Sequence, residues 1–148
     1  MNSALQHELN DALASVLGDM QHAAGQWLQV LEDERAALGS ASTEALDQIG
    51  AQKQGLLQQL EQLDAERLIL CREHPSREVA LASEWSRVAQ ALRQCHALNQ
   101  RNGAMVNQRL NQVRQALAIL TGHSGENELY GRSGELHGSL RSQVLAAA

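Results

Sequence analysis

Apolar residues recur along this chain at alternating steps of three and four. In the middle stretch the seam positions are Leu46, Ile49, Lys53, Leu56, Leu60, Leu63, Arg67 and Leu70. The same step then runs much further, through Leu81, Trp85, Val88, Leu92, Cys95, Asn99, Asn102, Val106, Leu110, Val113, Leu117 and Leu120. The opening stretch is looser: Leu5, Leu9, Leu13, Val16, Met20, Ala24, Trp27, Leu31 and Leu38. Steps averaging about 3.5 residues lay a narrow apolar stripe along a helix, the pattern of coiled-coil-like packing. Gly39-Ser40-Ala41-Ser42 reads as a turn, with Gly39 suited to a left-handed C-cap and Ser42 to the next N-cap. His74-Pro75-Ser76 reads as a second, because proline cannot continue a helix but starts one well. Thr121-Gly122 closes the pattern. Helices are therefore predicted over residues 3–38, 43–73 and 76–121, the last about 65–70 Å long at 1.5 Å per residue.

Short turns make consecutive helices antiparallel. The predicted fold is all-α: an elongated three-helix antiparallel coiled-coil-like bundle over residues 1–121, with a flexible C-terminal tail over 122–148. Folding the chain about residue 40 sets Trp27 beside Lys53, which predicts a cation–π contact there. Folding it again about residue 74 sets Lys53 near Cys95, and a mostly buried Trp85 level with Leu63 and Leu17. Cys71 and Cys95 then lie too far apart for a disulfide. In the tail, GHSGENELYGRSGELHG carries five of the chain's eleven glycines, which argues for mobility. Beyond it Leu136, Leu140 and Val144 recur four apart with Leu145 beside them. They predict a short amphipathic helix, marginal alone and suited to a partner's surface.

Four polar residues interrupt the seam: Lys53, Arg67, Asn99 and Asn102. A buried polar residue costs stability but penalises wrong alignments, and register control is the favoured role. The other reading is that Asn99 and Asn102 soften the third helix for a partner. The core must otherwise be made of Leu, Val, Ala and Met, since the chain is 2% aromatic with no phenylalanine. Unbranched side chains of this kind favour helix.

Composition excludes several functions. A net charge of −5, with a lone lysine and arginines spread among acids, does not make the clustered basic face that nucleic acid requires. No apolar run approaches a membrane span, so no direct membrane insertion is expected. The N-terminus lacks the basic start and apolar core of a signal peptide. Asp19 with His22, and Cys71 with His74, have metal-like spacing. Neither has a second pair at its level, and a structural zinc wants four such ligands. Cys95 and His96 are adjacent on a helix and so do not face each other. No glycine-rich phosphate loop follows a strand. The expectation is a cytoplasmic protein that is not an enzyme and takes no metal or cofactor.

The stretch CHALNQRNGAMVNQRLNQVRQALAILTG, followed after a short gap by LYGRSGE, resembles the FlgN family of flagellar export chaperones. Trp85 early in the third helix, Leu98-Asn99-x-x-Asn102-Gly103, the run to Leu120-Thr121-Gly122 and then Tyr130-Gly131-x-x-Gly134 carry the likeness. It is sharp over residues 81–135. The resemblance implies a cytoplasmic chaperone of the type III export apparatus that holds the hook–filament junction proteins FlgK and FlgL without hydrolysing ATP. It implies that the C-terminal region, here Leu136, Leu140, Val144 and Leu145, captures the cargo's helical C-terminus. It also implies that Tyr130, flanked by Gly131 and Gly134, docks the loaded chaperone on the export gate protein FlhA. A tyrosine suits such a role, because it brings a large ring and a hydroxyl with only two torsions to freeze. The tail here is small and runs out into Ala146-Ala147-Ala148, which leaves open whether cargo contacts extend onto the bundle. The alternative function is a structural coiled-coil adaptor, and self-association stays open under either reading.

Overall fold

The structure, a computed structural model, describes residues 3–73 and 75–122. Four helices make up nearly all of it: α1 (Ser3–Ser40), α2 (Thr43–Glu73), α3 (Pro75–Ala80) and α4 (Ala82–Thr121). The three long helices form the antiparallel bundle that the seam predicts, with no strand among the described residues. α1 packs against both α2 and α4. Two adjacent stripes of α1 are therefore buried, including Leu13, Val16, Leu17, Met20, Ala23, Ala24, Trp27 and Leu31. α2 buries only Ile49, Lys53, Leu60 and Arg67. The backbones of α2 and α4 rarely come close, and long side chains bridge that seam instead. α1 and α4 sit tightly enough that the Cys95 thiol donates to the Ala24 carbonyl at 3.4 Å.

The first turn differs from expectation in its cap. α1 continues through Gly39 to Ser40, whose hydroxyl donates to the Ala37 carbonyl at 3.1 Å. The left-handed residue is Ala41, at φ 56°, where its Cβ costs about 1–2 kcal/mol. Ser42 does cap α2, its hydroxyl oxygen accepting the Ala45 N–H at 3.4 Å. Past the second turn Pro75 opens α3, and the single helix predicted over 76–121 is interrupted at Leu81, with φ −109° and ψ 23°. Hydrogen bonds from Leu81 N–H to Arg77 and from Trp85 N–H to Leu81, both 3.0 Å, carry the chain across the break. Ala80 and Ala82 flank it and are strong helix formers, so nothing local in the sequence marks the position.

The alignment of the helices corrects two expected pairings. Lys53 meets Glu34 rather than Trp27, and Asn99 rather than Cys95. Side chains on a helix lean toward its N-terminus. On antiparallel neighbours the leans oppose, so long side chains meet about four residues from the point a symmetric fold would give. That accounts for the shift from Cys95 to Asn99. The larger shift from Trp27 to Glu34 adds the displacement of the turn from residue 40 to Ala41-Ser42. The cation–π contact is accordingly elsewhere: the Arg67 guanidinium lies 3.9 Å from the centroid of the Trp85 ring. Trp85 packs at the margin of the core with most of its surface covered, though less completely than Trp27, which is only 4% exposed.

The two tryptophans should therefore separate in urea unfolding. Trp27→Ala empties a closed core position and should cost about 3–5 kcal/mol. Trp85→Ala removes a ring at the core margin that is less completely enclosed and should cost about half as much. Equal losses would contradict this placement of the core.

Candidate functional site

The most organised polar chemistry lies where three helices meet. Lys53 of α2 is 8% exposed. Its Nζ donates to Glu34 Oε1 and Oε2 of α1 at 3.0 and 3.1 Å and to Asn99 Oδ1 of α4 at 2.9 Å. Asn102, one turn further along α4 and 1% exposed, donates through Nδ2 to the Leu31 carbonyl and to Glu34 Oε2, both at 2.9 Å. Glu34 thus receives donors from both neighbouring helices. An ammonium held out of water needs this degree of pairing, because burying an uncompensated charge costs several kcal/mol. Asn102 Oδ1 has no partner among the described residues. Apart from that oxygen, the side chains of the knot satisfy one another, which is a structural arrangement rather than a reactive one.

Arg67, about four turns nearer the other end, is held by the Asp64 carboxylate at 2.8 Å (Nε to Oδ1) and by the face of Trp85. All four polar seam residues therefore sit in or beside the seam: Lys53, Arg67 and Asn102 buried, Asn99 partly so. Glu34 was not legible as a partner in the heptad pattern. The step from Leu31 to Leu38 skips one seam position, and that gap, at residue 34 or 35, was the available signal. Arg77 of α3 was missed too. It is 4% exposed with its Nη1 unpartnered.

Other candidate chemistry does not assemble. Among the described residues no group of three or more His, Cys, Asp or Glu is placed to hold a metal ion. Cys71 and Cys95 are both free thiols. Burial pushes the Cys95 thiol up to about 11, which keeps it protonated and inert. A shallow depression on α1, lined by Gly18, Gln21, His22, Gly25, Gln26 and Gln29, contains none of the seam residues. No described helix is long and apolar enough to cross a membrane.

The second notable surface is the far end of α4. The apolar row continues there through Val106, Leu110, Val113, Leu117 and Leu120, after two successive four-residue steps from Asn102 to Leu110, yet all five are exposed. Ala24 lies opposite Cys95 and Leu31 opposite Asn102, both 71 residues apart. By the same offset Gly39 falls level with Leu110. α1 and α2 end at that level, and the last 11 residues of α4 project about 16 Å past them. Gly122, at φ 67°, ends the helix in a left-handed cap. Tyr130, Gly131 and Gly134, with Leu136, Leu140, Val144 and Leu145, lie outside the described residues.

The family model for FlgN protein matches residues 1–138 of this chain. Among curated proteins, the chain is similar to "Flagella synthesis protein FlgN" of Salmonella typhimurium (strain LT2), 26% identical over 128 residues that cover 86% of this chain and 87% of the relative. The protein of the same name from Salmonella typhi gives the same figures. No solved structure shows a significant match to the chain.

Two measurements check the site's energetics and chemistry. Lys53→Met strands the Glu34 carboxylate and should cost about 3–5 kcal/mol. Adding Glu34→Leu should restore most of that loss, giving a large coupling energy in a double-mutant cycle. Additive effects would mean that the knot is not a unit. At pH 8 a thiol of pKa about 11 is about one part in a thousand thiolate. A disulfide reagent should thus label Cys71 in the native protein and reach Cys95 only after unfolding.

Proposed function

Because the chain belongs to the FlgN family, and so has a role in flagellar synthesis, we propose that it is a cytoplasmic export chaperone. It holds the hook–filament junction proteins FlgK and FlgL by their helical C-termini and delivers them to the export gate protein FlhA. The observation that carries this reading is the extent of the family match. It runs the length of the bundle and on to residue 138, and so takes in Tyr130, Gly131, Gly134 and Leu136.

On this reading the chain divides its work. Residues 1–121 form a bundle whose polar seam, Lys53, Arg67, Asn99 and Asn102 with Glu34, sets the register of the helices. Residues 122–148 carry recognition. An amphipathic cargo helix is captured by burying its apolar face, here against Leu136, Leu140, Val144 and Leu145. Tyr130 inserts as an anchor at the gate, with Gly131 and Gly134 letting the backbone come close. Capture and release then depend on competing affinities and need no catalytic group.

Calorimetric titration against purified FlgK or FlgL and against the FlhA gate domain tests this division. Tyr130→Ala should leave the melting curve unchanged and weaken gate binding about thirtyfold, the scale of an anchor worth about 2 kcal/mol. Cargo affinity should hardly move. Leu140→Asp should do the reverse. A Tyr130→Ala variant that melts early, or that binds the gate like the parent, would sink the assignment.

A further inference from the structure

We propose that in the free protein the apolar face of residues 136–145 lies back along α4 from Leu110 to Leu120. The exposed row demands an occupant: Leu110 is 47%, Val113 55%, Leu117 54% and Leu120 82% exposed. These positions extend the apolar row of a helix whose earlier seam residues, Leu92, Cys95 and Asn102, are buried. What fails beyond Gly39 is the supply of partner helices, not the pattern.

Charge disfavours a second copy of this row as the occupant. Between Glu84 and Glu126 the sequence has no acidic residue, and Arg87, Arg93, Arg101, Arg109 and Arg114 fall in that interval. A second copy laid on the same row would set Arg109 and Arg114 of one chain against those of the other, with no acid to separate them. The chain's own C-terminal segment brings Glu126, Glu128 and Glu135 against Arg132 and Arg141, a slightly acidic balance whose acids all precede residue 136.

Reach and size agree. Twenty-six residues follow directly from Gly122. The thirteen at 123–135 can span up to about 45 Å when extended, whereas returning to the level of Leu110 takes only about 16 Å. As a helix, residues 136–145 are about 15 Å long, which matches the distance from Leu110 to Leu120. Leu136, Leu140 and Val144 would occupy one side of it. A helix that is marginal alone gains here from covalent tethering, which sets an effective concentration in the millimolar range. The face laid on α4 is the one assigned above to cargo, which would have to displace it; the test below uses neither cargo nor gate, so its outcome is independent of the chaperone reading.

The test uses the full chain with Cys71→Ser, keeping the buried Cys95. One variant adds Val113→Cys and Leu140→Cys. Its control adds Gln115→Cys and Leu140→Cys, with the same tether but the opposite face of α4. Under mild oxidation at micromolar concentration, the Val113 pair should form an intrachain disulfide at least tenfold faster than the Gln115 pair. Adding Leu136→Asp to the Val113 pair should erase that advantage. Val113 and Gln115 are exposed, and an unchanged helical melt verifies the fold of each variant. Equal rates for the two pairs would overturn the proposal. So would disulfides that form mainly between chains, which would instead identify a second copy as the occupant.

Discussion

Lys53 is the constraint around which the bundle is arranged. Its ammonium is nearly out of water and makes hydrogen bonds to Glu34 on one neighbour and Asn99 on the other. Apolar seam positions tolerate slippage by a heptad, since one leucine packs much like another. A buried cation does not, because a slip in either seam would leave its charge unpaired at a cost of several kcal/mol. Asn102 ties the same carboxylate to the backbone of α1, so α1 and α4 are locked in parallel by a bond that also depends on Glu34. On the register role proposed for these residues, one small cluster aligns all three helices.

Much follows from that alignment. Arg67 arrives over Trp85, because moving fourteen residues along α2 from Lys53 moves fourteen back along α4 from Asn99. Ala23 and Ala24 are fully buried, and the small side chains there let Cys95 reach a backbone carbonyl. The alignment also decides how much of α4 is left over. With Gly39 level with Leu110, the last three turns of α4 have no neighbour among the described helices. The exposed row is thus a consequence of register, not a local peculiarity of those residues.

The sequence revealed the periodic part of this and missed the part set by geometry between helices. Heptad steps marked Lys53, Arg67 and Asn102 as seam positions, and all three are buried. They could not name Glu34, because the seam of α1 skips from Leu31 to Leu38. They misplaced the partners of Lys53, since counting from a turn ignores the lean of side chains and the residue at which the turn falls. Ala41 took the left-handed cap in place of Gly39, and the break at Leu81 carries no compositional mark. The exposure of the end of α4 was hidden for a related reason. Leu110, Val113, Leu117 and Leu120 read as core, and only the length of the neighbouring helices makes them surface. The recognition residues at 130–145 rest on the family likeness and not on observed geometry.

The charges follow the same division. α1 carries Glu8, Asp11, Asp19, Glu32, Asp33 and Glu34 against Arg35 alone, and α2 also has more acids than bases. α4 has five arginines and a single acid, Glu84. Helices in contact lie about 8–10 Å apart, within roughly one Debye length at physiological salt. The two acidic helices therefore supply opposite charge to the basic one wherever they flank it. Past Gly39 that supply stops together with the apolar cover, while Arg109 and Arg114 continue. Whatever rests on the end of α4 takes over both duties of α1 and α2, offering apolar side chains at three- and four-residue steps with acids at their flanks. A helix of that character is accepted by the same rules that assemble the bundle, whether it comes from this chain or from a partner. Two such segments would compete for one strip, because the strip is a single helix face wide.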